Sequence, residues 1–353
     1  MRPLRIATIA ATIAVFAAGI AGAQSDPVAD FYMGRQVSVL VGNGTGGGYD
    51  VYARLLARHL GRYIPGNPTV VTQNMPGAGG LRAVNYLYNT APKDGTAIAI
   101  FSRDMPLIGI FGQNPNVRFD PRRFTWLGSS SSYANDAYFL FARKDAPVKS
   151  IEDARRPGGA PLVLGVTAEG AAGNDVASVI RYALGLNFRL IAGYTDSNAL
   201  FLAVDRKEVD ARFVGLSATA SSHREWLAPD SVVHILLQFA RVTRHPDFPN
   251  VPTARELALD APARALIELA ELPYRLSRPF AAPPDLPPER AQALRDAFLA
   301  VQRDPLYLEE AAKMKVDVSP IGGEEVLHAI EDIAKSPPQI LDTMKRILEN
   351  KGG

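Results

Sequence analysis

Five glycines fall within the seven residues Gly42 to Gly48, between a valine-rich run, Val37 to Val41, and a helical pattern in which Ala53, Leu56 and Leu60 recur before Gly61. The short apolar run reads as a strand and the recurrence as a helix that Gly61 ends. Strand, glycine turn and helix in this order aim several backbone N–H groups at one place beyond the strand's carboxyl end. Hydrogen bonds and the positive end of the helix dipole hold an anion there without a formal positive charge. The turn is therefore expected to form one wall of a ligand site, through Asn43, Gly44, Gly46, Gly47 and Gly48. Asp50, in the first helical turn, suits the dipole and is a less natural ligand group, because a carboxylate beside an anion repels it.

Two more strand–helix units follow. Thr69 to Gln73 precedes a second glycine turn, Asn74 to Gly80, and a helix from Leu81 to Thr90; Ala91-Pro-Lys-Asp-Gly95 then leads into a strand from Thr96 to Phe101. Such a series predicts a parallel sheet with helices on its faces and functional loops beyond the strands' carboxyl ends. That places Ser102 and Arg103 near the same rim, where a guanidinium suits a carboxylate. Strands are expected at 124–128 and 137–143, joined by the polar crossover Ser129 to Tyr133, which brings in Ser130. Alternating strands and helices continue to Phe239, and the remainder is mostly helical. The pattern predicts an α/β chain of two lobes, 24–128 with 240–353 and 129–239, whose two crossings make a hinged cleft.

Met1 to Ala23 stands apart from this plan. Arg2 and Arg5, the apolar Ile6 to Ile20 and Ala21-Gly-Ala23 have the form of a secretory signal peptide cleaved after Ala23, which predicts export to the periplasm. The apolar run is shorter than the ~20 residues a spanning helix needs. The chain contains no cysteine, so packing alone must hold the exported lobes together. Without Arg2 and Arg5 the formal charge of +2 falls to about zero, and no basic run points to nucleic acid.

Gly42-Asn-Gly-Thr-Gly-Gly47 also satisfies the dinucleotide pattern G-x-G-x-x-G, but the second strand ends in Gln73 and Asn74, where that use requires an acidic residue. No cofactor is expected. The five histidines are scattered without ligand spacing, so no metal is expected either. Gly215-Leu-Ser217-Ala-Thr219 approaches a nucleophile elbow but lacks its second glycine. Ser217 reads better as a cleft or helix-start residue, and binding is favoured over catalysis. An exported hydrolase would need Ser217 beside a histidine, for which His223 is the candidate nearby.

The motifs together resemble those of the Bug-type, or tripartite tricarboxylate transporter, receptor proteins. Gly46-Gly-Gly-Tyr-Asp50 with Ala53-Arg-Leu-Leu-Ala57 is similar to their PGGxxD…ARLLA opening, and Asn74-Met-Pro-Gly-Ala-Gly-Gly80 to NRPGAGG. Gly193-Tyr-Thr-Asp-Ser-Asn-Ala199 resembles PYKGxxPA, Glu208-Val-Asp210 resembles GQVD, and His245 to Thr253 carries the PDVPT segment. The resemblance covers nearly all of the chain after the leader. It implies a type II periplasmic binding fold, a Venus flytrap that captures a small carboxylate and delivers it to two membrane subunits, acting as a monomer. It further implies that Thr167, Gly170 and Ala171 close on the ligand from the second lobe, with Tyr194 and Ser197 in a third loop. The second loop departs from the family's pattern: its histidine is missing, and Glu169 adds a negative charge. A receptor reporting to a sensor kinase would have the same site.

Overall fold

Among the described residues, apolar runs become eleven strands, gathered into two sheets with helices against both faces of each. The computed structural model describes residues 26–46, 48–111, 115–166, 172–194 and 197–349, without the side chains at 172 and 221. The leader, Gly47 and the predicted ligand residues Thr167, Gly170 and Ala171 lie outside the described residues.

In the first sheet β1 (Gln36–Val41) pairs in parallel with β2 (Thr69–Asn74) and with β3 (Ala97–Ile100), as the repeated strand–helix units predict. β4 (Thr125–Ser129) ends the first run of the chain through this sheet. The chain then builds a second sheet from β5 (Tyr138–Arg143), β6 (Leu162–Gly165), β7 (Phe188–Ile191), β8 (Ala211–Gly215) and β9 (Val233–Phe239), in the order β7-β6-β8-β5-β9. It returns to the first sheet as β10 (Pro279–Ala282), antiparallel between β3 and β4, and as β11 (Ile321–Gly322) at the far edge of β4. Both sheets are thus mixed. The antiparallel additions were not legible locally, because four apolar residues such as Pro279 to Ala282 carry no periodicity.

Both sheets are covered on two faces, and β5 shows how. Phe139 and Phe141 enter the core under the Ser197–Asp205 helix, while Leu140 and Ala142 enter the one under Ala172–Leu184. This is the two-residue alternation of a strand whose two sides are both apolar. In the first sheet, Leu55, Leu56 and Leu60 of the Gly48–Leu60 helix pack with Phe280 and Phe298 on one face. Trp126, Phe101 and Ile330 fill the other. Each fully buried side chain of this size contributes about 2 kcal/mol.

The crossings between the sheets differ from expectation in one respect. After Phe239 the chain was expected to rejoin the first lobe, but it re-enters the first sheet only at Pro279. Between these points the Ala261–Arg275 helix packs Leu266, Ile267 and Leu269 into a core with Val179 and Ile180 of the second sheet's helix. The apolar stripe of a helix marks that it packs, but not which of two sheets receives it.

Two non-glycine residues hold left-handed backbone, Tyr133 (φ 59°) in the crossover and Ala240 (φ 65°) just after β9, a conformation that surrounding contacts must enforce. Arg241 ties the end of β9 to the crossover, its Nη1 donating to the carbonyls of Ala134 at 3.0 Å and Asp136 at 2.9 Å. The Ala240 N–H donates to Glu271 Oε1 at 3.0 Å.

Glu271 is buried, and burial pushes its carboxyl up to about 7 against the attraction of Arg255. A carboxyl raised in the folded state binds its proton more tightly there than in the unfolded chain, so its contribution to stability falls as pH rises from about 4.5 to about 7. Glu271→Gln removes that slope. Between pH 5 and 7, wild type should lose about 2 kcal/mol relative to the variant in urea titrations. Equal pH slopes would show that this carboxyl is not shifted.

Candidate functional site

The glycine turn begins where β1 ends, and its tightness comes from a second glycine turn beside it. A Cβ on Gly42 would stand 3.0 Å from the Cα of Gly80, so the Asn74 to Gly80 turn serves close packing of one loop on the other. Asp50, buried in the first turn of the helix, fastens the loop from below. Its Oδ2 accepts from the Gly46 N–H at 2.9 Å and from Arg54 Nε at 2.9 Å, and its Oδ1 from Asn74 Nδ2 at 2.9 Å. Chiefly the Arg54 hydrogen bond holds the Asp50 carboxyl down at about 2. Asp50 is therefore a staple within the protein. The Gly46 N–H, expected to face a ligand, is already taken by it, which corrects that part of the expectation.

The remaining predicted residues divide. Asn43 lends its carbonyl to Asn74, and Gly44 is exposed with open space around it. Gly48, the first residue of the helix, lines a cavity of about 420 Å³ between the two sheets. Arg103 and Ser197 line the same cavity. Ser102 is not among its lining residues, and its hydroxyl points to Asp104 at 3.4 Å. Tyr194 lies behind the wall, its ring 3.4 Å from where a Cβ on Gly165 would be. Ser130 is fully buried, accepting from Gln302 Nε2 at 2.9 Å and bonding through its backbone to Arg278 and Ser319. It knits the crossover into the first lobe and does not reach the cleft. A polar crossover reads the same from sequence whether its hydroxyls meet a ligand or the chain's own backbone.

What sequence reasoning missed is basic. Arg212, in the middle of β8, and Arg278, just before β10, join Arg103 in lining the cavity. Arg212 is buried, at 3% exposed, and its guanidinium lies 4.1 Å from the Phe201 ring centre. It donates to the Ser197 carbonyl at 2.6 Å and to Ser197 Oγ at 2.8 Å, while its Nε has no partner among the described residues. Burial pushes Arg212 down to about 10. Arg278 sits over the rings of Tyr49 and Tyr52, at 4.8 and 5.0 Å, with Nη2 3.3 Å from where a Gly48 Cβ would be. Its Nε is likewise buried without a partner. Arg103 lies 4.0 Å over Tyr274. Among the described residues none of the three pairs with a carboxylate in the structure. Among the described residues the acid lining the cavity is Asp136, which accepts the N–H groups of Ala137 and Ser217 and whose carboxyl is pushed up by burial. A sequence signal for Arg212 did exist: a lone arginine inside Ala-Arg-Phe-Val-Gly, in a strand otherwise apolar.

Tyr133, Tyr138 and Phe213 complete an aromatic wall. Burial pushes the tyrosine hydroxyls up, so the rings stay neutral beside the guanidiniums. Ser217 also lines the cavity, at the start of the Leu216–Ser222 helix, in line with its reading as a cleft residue. His223 is engaged elsewhere, with Nε2 3.1 Å from Asp205 and its ring stacked on Phe201. Among the described residues no group of three His, Asp or Glu side chains is placed to hold a metal ion.

An interlobe cavity lined by three arginines among the described residues, on two mixed α/β sheets, is the arrangement of a two-lobed binding protein. The tripartite tricarboxylate transporter family receptor profile matches residues 53–345, and the chain belongs to that family. It is 23% identical over 354 residues to the "UPF0065 protein in gbd 5'region" of Cupriavidus necator, covering 96% of each chain. Among solved structures it is similar to a TctC solute binding protein from Polaromonas, with TM-score 0.67, 18% identity and coverage of 89% of this chain and 98% of that one. An R. palustris protein solved with adipate aligns with TM-score 0.59 and 20% identity, over 88% of this chain and 97% of that one. These likenesses confirm the predicted fold, and the family is one of receptors.

Proposed function

We propose that this protein is a periplasmic solute receptor, exported by cleavage after Ala23, that captures a small organic carboxylate. It passes the ligand to the two membrane subunits of a tripartite importer, acting as a monomer and without catalysis. The observation that carries this reading is the convergence of Arg103, Arg278 and Arg212 with the amino end of the Gly48–Leu60 helix on one interlobe cavity. Guanidinium and helix terminus both favour an anion, and a low-dielectric wall strengthens each. The second lobe, expected at 129–239 and joined in the structure by the Ala261–Arg275 helix, would close over the ligand and contribute Thr167, Gly170 and Ala171. The adipate seen in the R. palustris neighbour supports a carboxylate as the ligand type. His223, held by Asp205, favours binding over hydrolysis.

Thermal-shift titration of the chain from Gln24 against mono-, di- and tricarboxylates, amino acids and uncharged analogues tests the reading. A true ligand raises Tm by an amount that grows with the logarithm of its concentration, equivalent to about 2.7 kcal/mol at a hundredfold excess over Kd. A response to uncharged solutes alone would refute the carboxylate proposal.

A further inference from the structure

Arg212 presents an energetic problem that the fold itself leaves unsolved. A guanidinium only 3% exposed, with an unpartnered Nε and no carboxylate partner among the described residues, is costly to bury. Its Ser197 contacts are to neutral oxygens, and burial has already lowered its proton affinity. Across the same cavity, Arg278 repeats the pattern: an unpartnered buried Nε, set against the positive end of a helix dipole at Gly48. Arg212 stands on β8 of the second sheet, while Arg278 precedes β10 and Arg103 follows β3 at the rim of the first. A single carboxylate held at one of these positions leaves the other charge uncompensated.

We infer that Arg212 is the specificity-determining residue of the cleft, taking one negative group of the ligand while Arg278 and Arg103 take a second, so that a ligand with two separated anionic groups is required. This rests on the receptor reading above and adds to it a charge rule and the residue that enforces it. The aromatic wall of Tyr138 and Phe213 then faces the ligand's uncharged middle. Among the described residues no carboxylate compensates this charge, so the free protein keeps a destabilising group for the sake of binding.

Isothermal titration with succinate, glutarate and adipate, each beside its monoamide of equal length, reads the rule directly. The diacid that binds best should exceed its monoamide by about thirtyfold or more. Arg212→Met should reduce diacid affinity at least about thirtyfold, change monoamide affinity little, and leave the Tm of the free protein unchanged or raised. Arg212→Lys should restore part of the loss. Equal binding of diacid and monoamide, or undiminished diacid binding by Arg212→Met, overturns the inference while leaving the receptor reading intact. Loss of binding with a lowered Tm and no rescue by lysine assigns Arg212 a structural role and also overturns it. If wild type binds no carboxylate of any kind, the receptor reading itself fails.

Discussion

Asp50→Ala will lower the stability of the free protein by about 3 kcal/mol, the scale expected when a buried carboxylate is removed from the donors gathered around it. The Gly46 N–H and Arg54 Nε lose their acceptor at once, and Asn74 Nδ2 is left with the Asn43 carbonyl at 3.0 Å alone. Arg54 keeps Thr72 at 3.0 Å and the Asn74 Oδ1 at 2.9 Å, so the damage centres on the glycine turn. Asp50→Asn, which keeps the shape but not the charge, should lose about half as much. Urea denaturation gives the answer through the midpoint at constant slope. Because the Asp50 carboxyl is held at about 2, wild type should retain this advantage down to about pH 4 and lose it as pH falls further toward 2. An unchanged midpoint for Asp50→Ala would mean that the turn stands without its staple.

Gly323→Ala will destabilise the protein by a similar amount for a different reason. A Cβ there would lie 2.1 Å from the Trp126 carbonyl oxygen and 2.8 Å from its carbon, backbone atoms of β4 that no rotamer change can move. The Gly323–Ala334 helix packs directly on that strand, so the clash forces helix and sheet apart. Overpacking of this kind costs about 3 kcal/mol, or roughly 4 °C in Tm for a chain of this length. Gly44→Ala is the control: nothing lies within 4 Å of its added Cβ, and Tm should move by less than about 1 °C. Should Gly323→Ala melt with wild type, the helix must be able to withdraw from the sheet without loss.

These predictions separate what local sequence reveals from what it conceals. The strand, glycine turn and helix from Val37 to Leu60 were legible because each has a period or a special residue of its own. The same holds for the strands of the second sheet, whose β-branched and aromatic runs alternate with helical patterns. The expected anion site at the amino end of the first helix also lies at the cleft, through Gly48. Its chemistry was read only in part: backbone amides were expected to face the anion, one of them is spent on Asp50, and three arginines line the cavity as well.

Local sequence by itself determined the element types, the order of the glycine turns and the two-lobed α/β plan, since those depend on backbone preference and apolar periodicity over a few residues. Only the tertiary structure decided that Arg103, Arg212 and Arg278, separated by long stretches of chain, share one cavity. It also decided that the Ala261–Arg275 helix serves the second sheet, and that Ser130 turns inward. Convergence of charge from distant segments is a property of how two sheets face each other, and no window of neighbouring residues encodes it.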